Sequence, residues 1–123
     1  MEYSNLDEFQ KEFKKLLRKY QTLDQDFELF KERILSYREN GTGKFLFWHP
    51  PVIVRINNLG IQTEIYKVKR FACKALKGKG SRSGIRIIYA YFPDQEKLEF
   101  VEIYYKEQDD TDCDRGRILD YYD

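Results

Sequence analysis

Apolar residues recur at three- and four-residue intervals at Leu6, Phe9, Phe13, Leu16, Leu17 and Tyr20, while Lys11, Lys14, Lys15, Arg18 and Lys19 fill much of the surface between them. That spacing puts the apolar set on one face of a helix. Ser4 or Asn5 can cap it, and Asp7 and Glu8 suit the positive end of its dipole. A second helix is expected from Thr22, where Thr22-Leu23-Asp24-Gln25 has the capping-box pattern. It runs through Phe27, Phe30, Ile34 and Tyr37 and stops at Asn40-Gly41-Thr42-Gly43. Two amphipathic helices separated by about two residues fold back on each other. Residues 1–40 therefore read as an α-hairpin whose apolar stripe needs a further layer to cover it.

After Gly43 the pattern changes to β-branched and aromatic residues. Phe45 to Trp48 and Val52 to Ile56 read as short strands, separated by His49-Pro50-Pro51, a sequence that no central strand tolerates. Ile65 to Cys73 is a longer candidate. Ile85 to Phe92 and Leu98 to Tyr105 are the strongest, joined across Pro93-Asp94-Gln95-Glu96-Lys97 as a hairpin. In the acidic segment that starts at Glu107, the residues Arg115, Ile118, Leu119 and Tyr122 support a short closing helix. No internal repeat or low-complexity linker divides the chain, so one α+β domain is expected over residues 1–123. In it the N-terminal hairpin (1–40) packs on a small, mainly antiparallel sheet of about four strands with a basic loop (41–106), followed by a short helix in the acidic tail (107–123).

Composition narrows the class. The 123 residues are 41% hydrophobic and 35% charged, which suits a single small domain. No run approaches the roughly 20 apolar residues that span a bilayer, and Met1-Glu2-Tyr3-Ser4 lacks a cationic segment leading into an apolar one, so neither membrane insertion nor secretion is expected. Cys73 and Cys113 are too few for a disulfide framework, and no Cys or His pair stands at zinc-ligand spacing around His49. No metal or other cofactor is expected, and the compartment is read as the reducing cytoplasm. Cys73 reads as a small buried hydrophobe, and Cys113, between two aspartates, as a thiol with a raised pKa. Trp48 reads as core and the isolated His49 as incidental to chemistry.

Charge changes the picture more than composition does. The net charge is only +1, yet residues 1–40 carry eight basic and nine acidic side chains, residues 41–89 ten and one, and residues 90–123 four and eleven. Segregation of this kind points to a polyanion site on one part of the surface. The informative stretch is Lys74-Ala75-Leu76-Lys77-Gly78-Lys79-Gly80-Ser81-Arg82-Ser83-Gly84, between the two best strands. No acidic residue occurs from Ile65 to Pro93, where Lys67, Lys69, Arg70, Lys74, Lys77, Lys79, Arg82 and Arg86 are all basic. Lys67 and Lys69 are two apart and project from the same face of a strand, and Arg86 opens the next strand close enough to join them. Three converging cations, with glycines and serines that let backbone amides approach, make a phosphate site. Taken singly, Lys74, Lys77 and Lys79 read as solvated loop residues. Tyr66, Tyr89, Tyr91, Tyr104 and Tyr105 can stack on bases, although strand tyrosines more often pack half-buried.

The motifs Tyr66-Lys67-Val68-Lys69, Ser83-Gly84-Ile85-Arg86-Ile87-Ile88-Tyr89 and Ile103-Tyr104-Tyr105-Lys106 resemble those of the RelE/ParE superfamily of bacterial toxins. The opening Phe9-Gln10-Lys11-Glu12-Phe13-Lys14-Lys15-Leu16, then Lys19-Tyr20-Gln21-Thr22-Leu23 and Asp26, is similar to the N-terminal helices of that group. The resemblance covers most of the chain through short patterns. It implies a compact sheet with two helices packed on it, and the toxin half of a type II toxin-antitoxin pair. By the same resemblance the activity would be that of an endoribonuclease that cuts ribosome-bound mRNA without a metal. Carried onto this chain, the residues around the scissile phosphate are Lys67, Lys69, Arg86 and Lys106. Arg70, Lys74, Lys77, Lys79, Arg82 and Tyr104 are the expected RNA contacts.

RNA cleavage of this type needs a base for the 2′-hydroxyl, an acid for the leaving oxygen and positive charge around the transition state, and the planar fork of Arg86 suits the last of these. Some members of the superfamily place a tyrosine or histidine near the C-terminus for acid, base or stacking roles. Here the corresponding Asp109-Asp110-Thr111-Asp112-Cys113-Asp114 offers neither. Either these aspartates pair with cations or face away, with Tyr104, Tyr105, Tyr121 or Tyr122 as substitute, or cleavage has been lost. The resemblance also allows a ParE-like inhibitor of DNA gyrase that cuts nothing, or an inactive RNA- or antitoxin-binding member. In each version the expected partner is a cognate antitoxin that lays a strand or amphipathic helix across the domain.

Overall fold

In the computed structural model the order of elements is β1 (Glu2–Asn5), α1 (Asp7–Lys19), α2 (Leu23–Asn40), β2 (Ile53–Arg55), β3 (Glu64–Val68), β4 (Ile85–Phe92), a 3-10 turn (Pro93–Gln95), β5 (Lys97–Tyr105) and α3 (Arg115–Tyr122). The structure describes residues 2–40, 53–69, 71, 73, 84–106 and 112–123, with the side chains of 33 and 35–40 outside that set. The expected strand from Phe45 to Trp48, together with His49, lies outside the described residues. The architecture is α+β, with the α-hairpin on one side of the sheet and the short C-terminal helix present as expected.

The sheet has five strands in the order β1-β5-β4-β3-β2. Four of them form the expected antiparallel part, and β1 adds a parallel edge to β5, with Tyr3 opposite Leu98 and Asn5 opposite Phe100. This strand corrects the expectation that Ser4 or Asn5 caps α1. Ser4 is spent in β1, where its hydroxyl donates to Glu99 at 3.0 Å, and the residue before α1 is Leu6, which offers no side-chain cap. Thr22 likewise does not complete a capping box. Its hydroxyl donates to the Asp26 carboxylate at 2.8 Å, while the Gln25 amide donates to the Asp24 side chain.

The core lies between the hairpin and one face of the sheet. Phe9 of α1 and Phe27 of α2 meet Phe100 of β5 at ring distances of 5.6 and 4.8 Å, and Tyr89 meets Phe100 at 6.3 Å. Phe9, Leu23, Ile34, Ile87, Tyr89, Phe100 and Ile103 are fully buried there, and Ile65, Ile88 and Ala90 are fully buried on the opposite face. Burial of each such side chain is worth about 1.5–3 kcal/mol. α3 contributes its buried Ile118, and its Tyr122 donates to Glu99 at 2.6 Å.

The β4–β5 ladder is interrupted once. Ile88 stands opposite Glu102 and Tyr89 opposite Phe100, which leaves Val101 as an unpaired bulge residue.

Candidate functional site

The central candidates come to one face by strand register. Lys67 stands opposite Ile88, Ile88 opposite Glu102, and Arg86 opposite Tyr104. Opposed residues share a face of an antiparallel pair, as do residues two apart on one strand. Lys67, Arg86, Glu102 and Tyr104 therefore occupy the side of the sheet turned away from the α-hairpin, whereas Val68, Ile87, Tyr89 and Phe100 face the helices. Lys106 extends the same row: its amide donates to the Gly84 carbonyl at 2.8 Å, one rung beyond Arg86 and Tyr104. Gly84 has a φ of +88°, and a Cβ there would lie 3.1 Å from the Tyr105 ring, so the entry to β4 requires glycine.

Lys69 is exposed, one residue past the last rung of β3 at Val68. Arg70, Lys74, Lys77, Lys79 and Arg82 lie outside the described residues.

The acidic tail meets this face through Asp112. Lys67 Nζ donates to Asp112 Oδ1 at 2.9 Å, the Cys113 amide donates to the same oxygen at 2.8 Å, and Arg115 Nε lies 4.0 Å from Oδ2. These contacts, Lys67 foremost, hold the Asp112 carboxyl at about 2, below the usual carboxylate range. Asp114 has a different task. Its carboxylate accepts from the Arg117 amide at 3.1 Å as the N-cap of α3, and its own amide donates to Glu102 at 2.8 Å. Asp109 and Asp110 lie outside the described residues. Arg86 pairs with no carboxylate among the described residues, and its Nη1 lies 3.4 Å from the Ile85 carbonyl.

Of the four tyrosines left open as substitutes, only Tyr104 stands beside Arg86. Burial pushes its phenol above the ordinary value, and Cys113, Asp112 and Glu102 add to the shift, so it stays protonated at neutral pH and can donate. Tyr105 packs against Tyr20 on the helix side. Tyr121 donates to Glu8, and Tyr122 is engaged by Glu99 and the Phe92 ring. Tyr66 stacks on Tyr89 at 5.4 Å, also on the helix side. Cys73 is buried, and burial followed by Asp112 raises the Cys113 thiol, which makes both poor nucleophiles.

No family profile, curated protein or solved structure matches this chain. The face is read from its own chemistry.

Three residues that govern the site carry no signal in the sequence pattern. Arg117 donates to both oxygens of Glu12 at 2.9 and 3.0 Å and to the Val101 carbonyl at 2.8 Å. It thereby clamps α3 to α1 around the edge of β5 and satisfies the acceptor exposed by the bulge. Glu102 is buried beneath the start of α3, where burial raises its carboxyl above the ordinary value of 4.5. Arg117 and Glu12 are 105 positions apart, and no periodicity links them.

Among the described residues, no three His, Cys, Asp or Glu side chains group to hold a metal ion, and no helix is long and apolar enough to cross a membrane. On the helix side, a groove of about 260 Å³ is lined by Phe9, Phe13 and Phe27, with Lys14 and Lys31 among its polar residues.

Proposed function

We propose that this chain is the toxin component of a type II toxin-antitoxin pair of the RelE/ParE kind, a metal-independent endoribonuclease acting on ribosome-bound mRNA. The observation that supports this reading is the common sheet face of Lys67, Arg86 and Tyr104, with Lys106 on the next rung. In this mechanism the 2′-hydroxyl attacks the adjacent phosphorus and gives its proton to Lys69 in its neutral amine form, while Lys67 remains an ammonium beside the phosphate. The guanidinium of Arg86 carries charge on the non-bridging oxygens, a contribution of about 10² to 10³ in rate for one preorganised donor. Tyr104 gives its proton to the leaving 5′-oxygen, and the protonated lysine returns one to the tyrosinate. A 2′,3′-cyclic phosphate and a 5′-hydroxyl result. Lys106, with Arg70, Lys74, Lys77, Lys79 and Arg82, follows the flanking backbone.

The triple variant Lys67→Ala, Lys69→Ala, Arg86→Ala is expected to keep its fold, to lose growth inhibition in a bacterial host and to leave mRNA intact on purified ribosomes. A fully toxic variant would refute the assignment. Growth should also return when the wild-type chain is co-expressed with its cognate antitoxin, which would lay a strand or amphipathic helix across the domain.

The pairing of Lys67 with Asp112 favours a second reading, a ParE-like inhibitor of DNA gyrase that cuts no RNA, because it neutralises one of the cations that catalysis requires. Inhibition of gyrase supercoiling without ribosomal mRNA cleavage would select it.

A further inference from the structure

We infer that Asp112 is a built-in occupant of the anion site, a carboxylate that stands where a phosphodiester would sit against Lys67 and that RNA must displace in order to bind. The inference rests on the RNA-binding reading above and adds to it the regulation of the same site.

The geometry is that of a bound anion. One oxygen of Asp112 accepts from an ammonium at 2.9 Å and an amide at 2.8 Å, and a guanidinium nitrogen stands 4.0 Å from the other. The amide of Cys113 and the guanidinium of Arg115 belong to the tail itself, and the Lys67 ammonium, a group that holds phosphates, is the donor that the sheet supplies. The chain on the C-terminal side of Asp112 is fixed: Glu102 holds the Asp114 amide, Asp114 caps α3, and Arg117 ties α3 to Glu12 and Val101. The carboxylate is thus presented to Lys67 by an anchored backbone. Its own side chain remains 47% exposed, while that of Lys67 is 21% exposed. A solvent-accessible ion pair is worth at most about 1 kcal/mol, weak enough to exchange partners. A phosphate entering beside Arg86 competes for the same ammonium, and the released carboxylate then stands close to the RNA as a like charge. Asp112 therefore lowers affinity twice, by occupying Lys67 and by repelling the ligand, and it favours strands that bring several phosphates at once.

The test compares wild type, Asp112→Asn, Lys67→Ala, the Asp112→Asn, Lys67→Ala double variant and the charge-matched control Asp120→Asn. Binding of a short fluorescein-labelled 2′-O-methyl oligonucleotide, which cannot be cleaved, is measured across a salt series. Asparagine keeps the acceptor for the Cys113 amide and removes only the charge. Asp112→Asn is expected to bind roughly three- to tenfold tighter than wild type. Its log–log salt slope should be steeper by about 0.7, as for one more phosphate contact on a single strand. Asp120→Asn should show less of either effect, and relative to Lys67→Ala the double variant should keep only the smaller, repulsive part of the gain. Equal or weaker binding by Asp112→Asn beside normal wild-type binding overturns the inference and leaves the RNA reading standing. A gain that is as large without Lys67 as with it, or that Asp120→Asn reproduces, overturns it as well. Failure of all five proteins to bind removes the RNA reading and the inference together. Unchanged circular dichroism and melting of each variant establish that these comparisons are between folded proteins.

Discussion

Two side chains beneath the start of α3 have protonation set by burial, with opposite consequences. Tyr104 keeps its proton because burial and neighbouring acidic groups disfavour the phenolate. In the proposed reaction it is a donor that does not titrate near neutrality. Tyr104→Phe is expected to slow ribosomal mRNA cleavage by about 10² to 10⁴ while oligonucleotide affinity changes little. A parallel loss of affinity would instead make it a stacking residue. Glu102 is a carboxyl whose folded pKa lies above its ordinary 4.5, so the folded state holds its proton more tightly than the unfolded chain does. It costs stability once pH rises through that raised value, and the cost disappears below the unfolded value. Glu102→Gln should therefore raise the melting temperature at pH 7, with the gain fading as pH falls through the raised value and absent below about 4. A gain independent of pH would point to packing. Asp112 has the reverse sign: its pairing supports the fold above the ordinary carboxylate range, and that support is lost as pH falls toward 2.

Among the elements, α3 matters most to the site and has the fewest means of holding itself in place. It has eight residues, too short to persist alone, and depends on Ile118, the Asp114 cap and the Arg117 fork. Arg117→Ala would leave Glu12 without its ion pair, held by the Ile103 amide at 3.4 Å, and the Val101 carbonyl without its side-chain donor. Hydrogen bonds to a charged group contribute about 1.5–3 kcal/mol, and a loss of that order is expected in urea unfolding. Arg117→Lys should recover only part of it, because an ammonium cannot reproduce the two-pronged contact. The local patterns of the elements were legible where side-chain period and turn chemistry agreed: the two helices, the β4–β5 hairpin and the closing helix all stand close to their expected places. β1 was not legible, since Glu2-Tyr3-Ser4-Asn5 has no apolar alternation and becomes a strand only because the exposed edge of β5 accepts it. The same pairing removed the expected cap from α1.

At the scale of the whole molecule, the sheet separates two surfaces. The helix side buries the aromatic core and keeps the groove over Phe9, Phe13 and Phe27, while the other side carries Lys67, Arg86, Tyr104 and Lys106, with Asp112 against Lys67. Near-neutral net charge conceals this division. The excess of cations in residues 41–89 and of acids in residues 90–123 was visible in the sequence, as was the two-residue spacing that puts charged strand positions on a common face. Those features depend on composition and on the local period of strand and helix, which any single sequence carries. Which acid meets which cation is another matter. Lys67 and Asp112 are 45 positions apart, and Glu12 and Arg117 are 105 apart. Such pairs follow from strand register, from the bulge at Val101 and from the side of the sheet that the tail crosses. The sequence alone determined the α+β layering, the hairpin and the presence of a cationic segment. The tertiary structure decided that one acid of the tail lies against Lys67, because only packing brings groups this far apart in the chain to hydrogen-bonding distance.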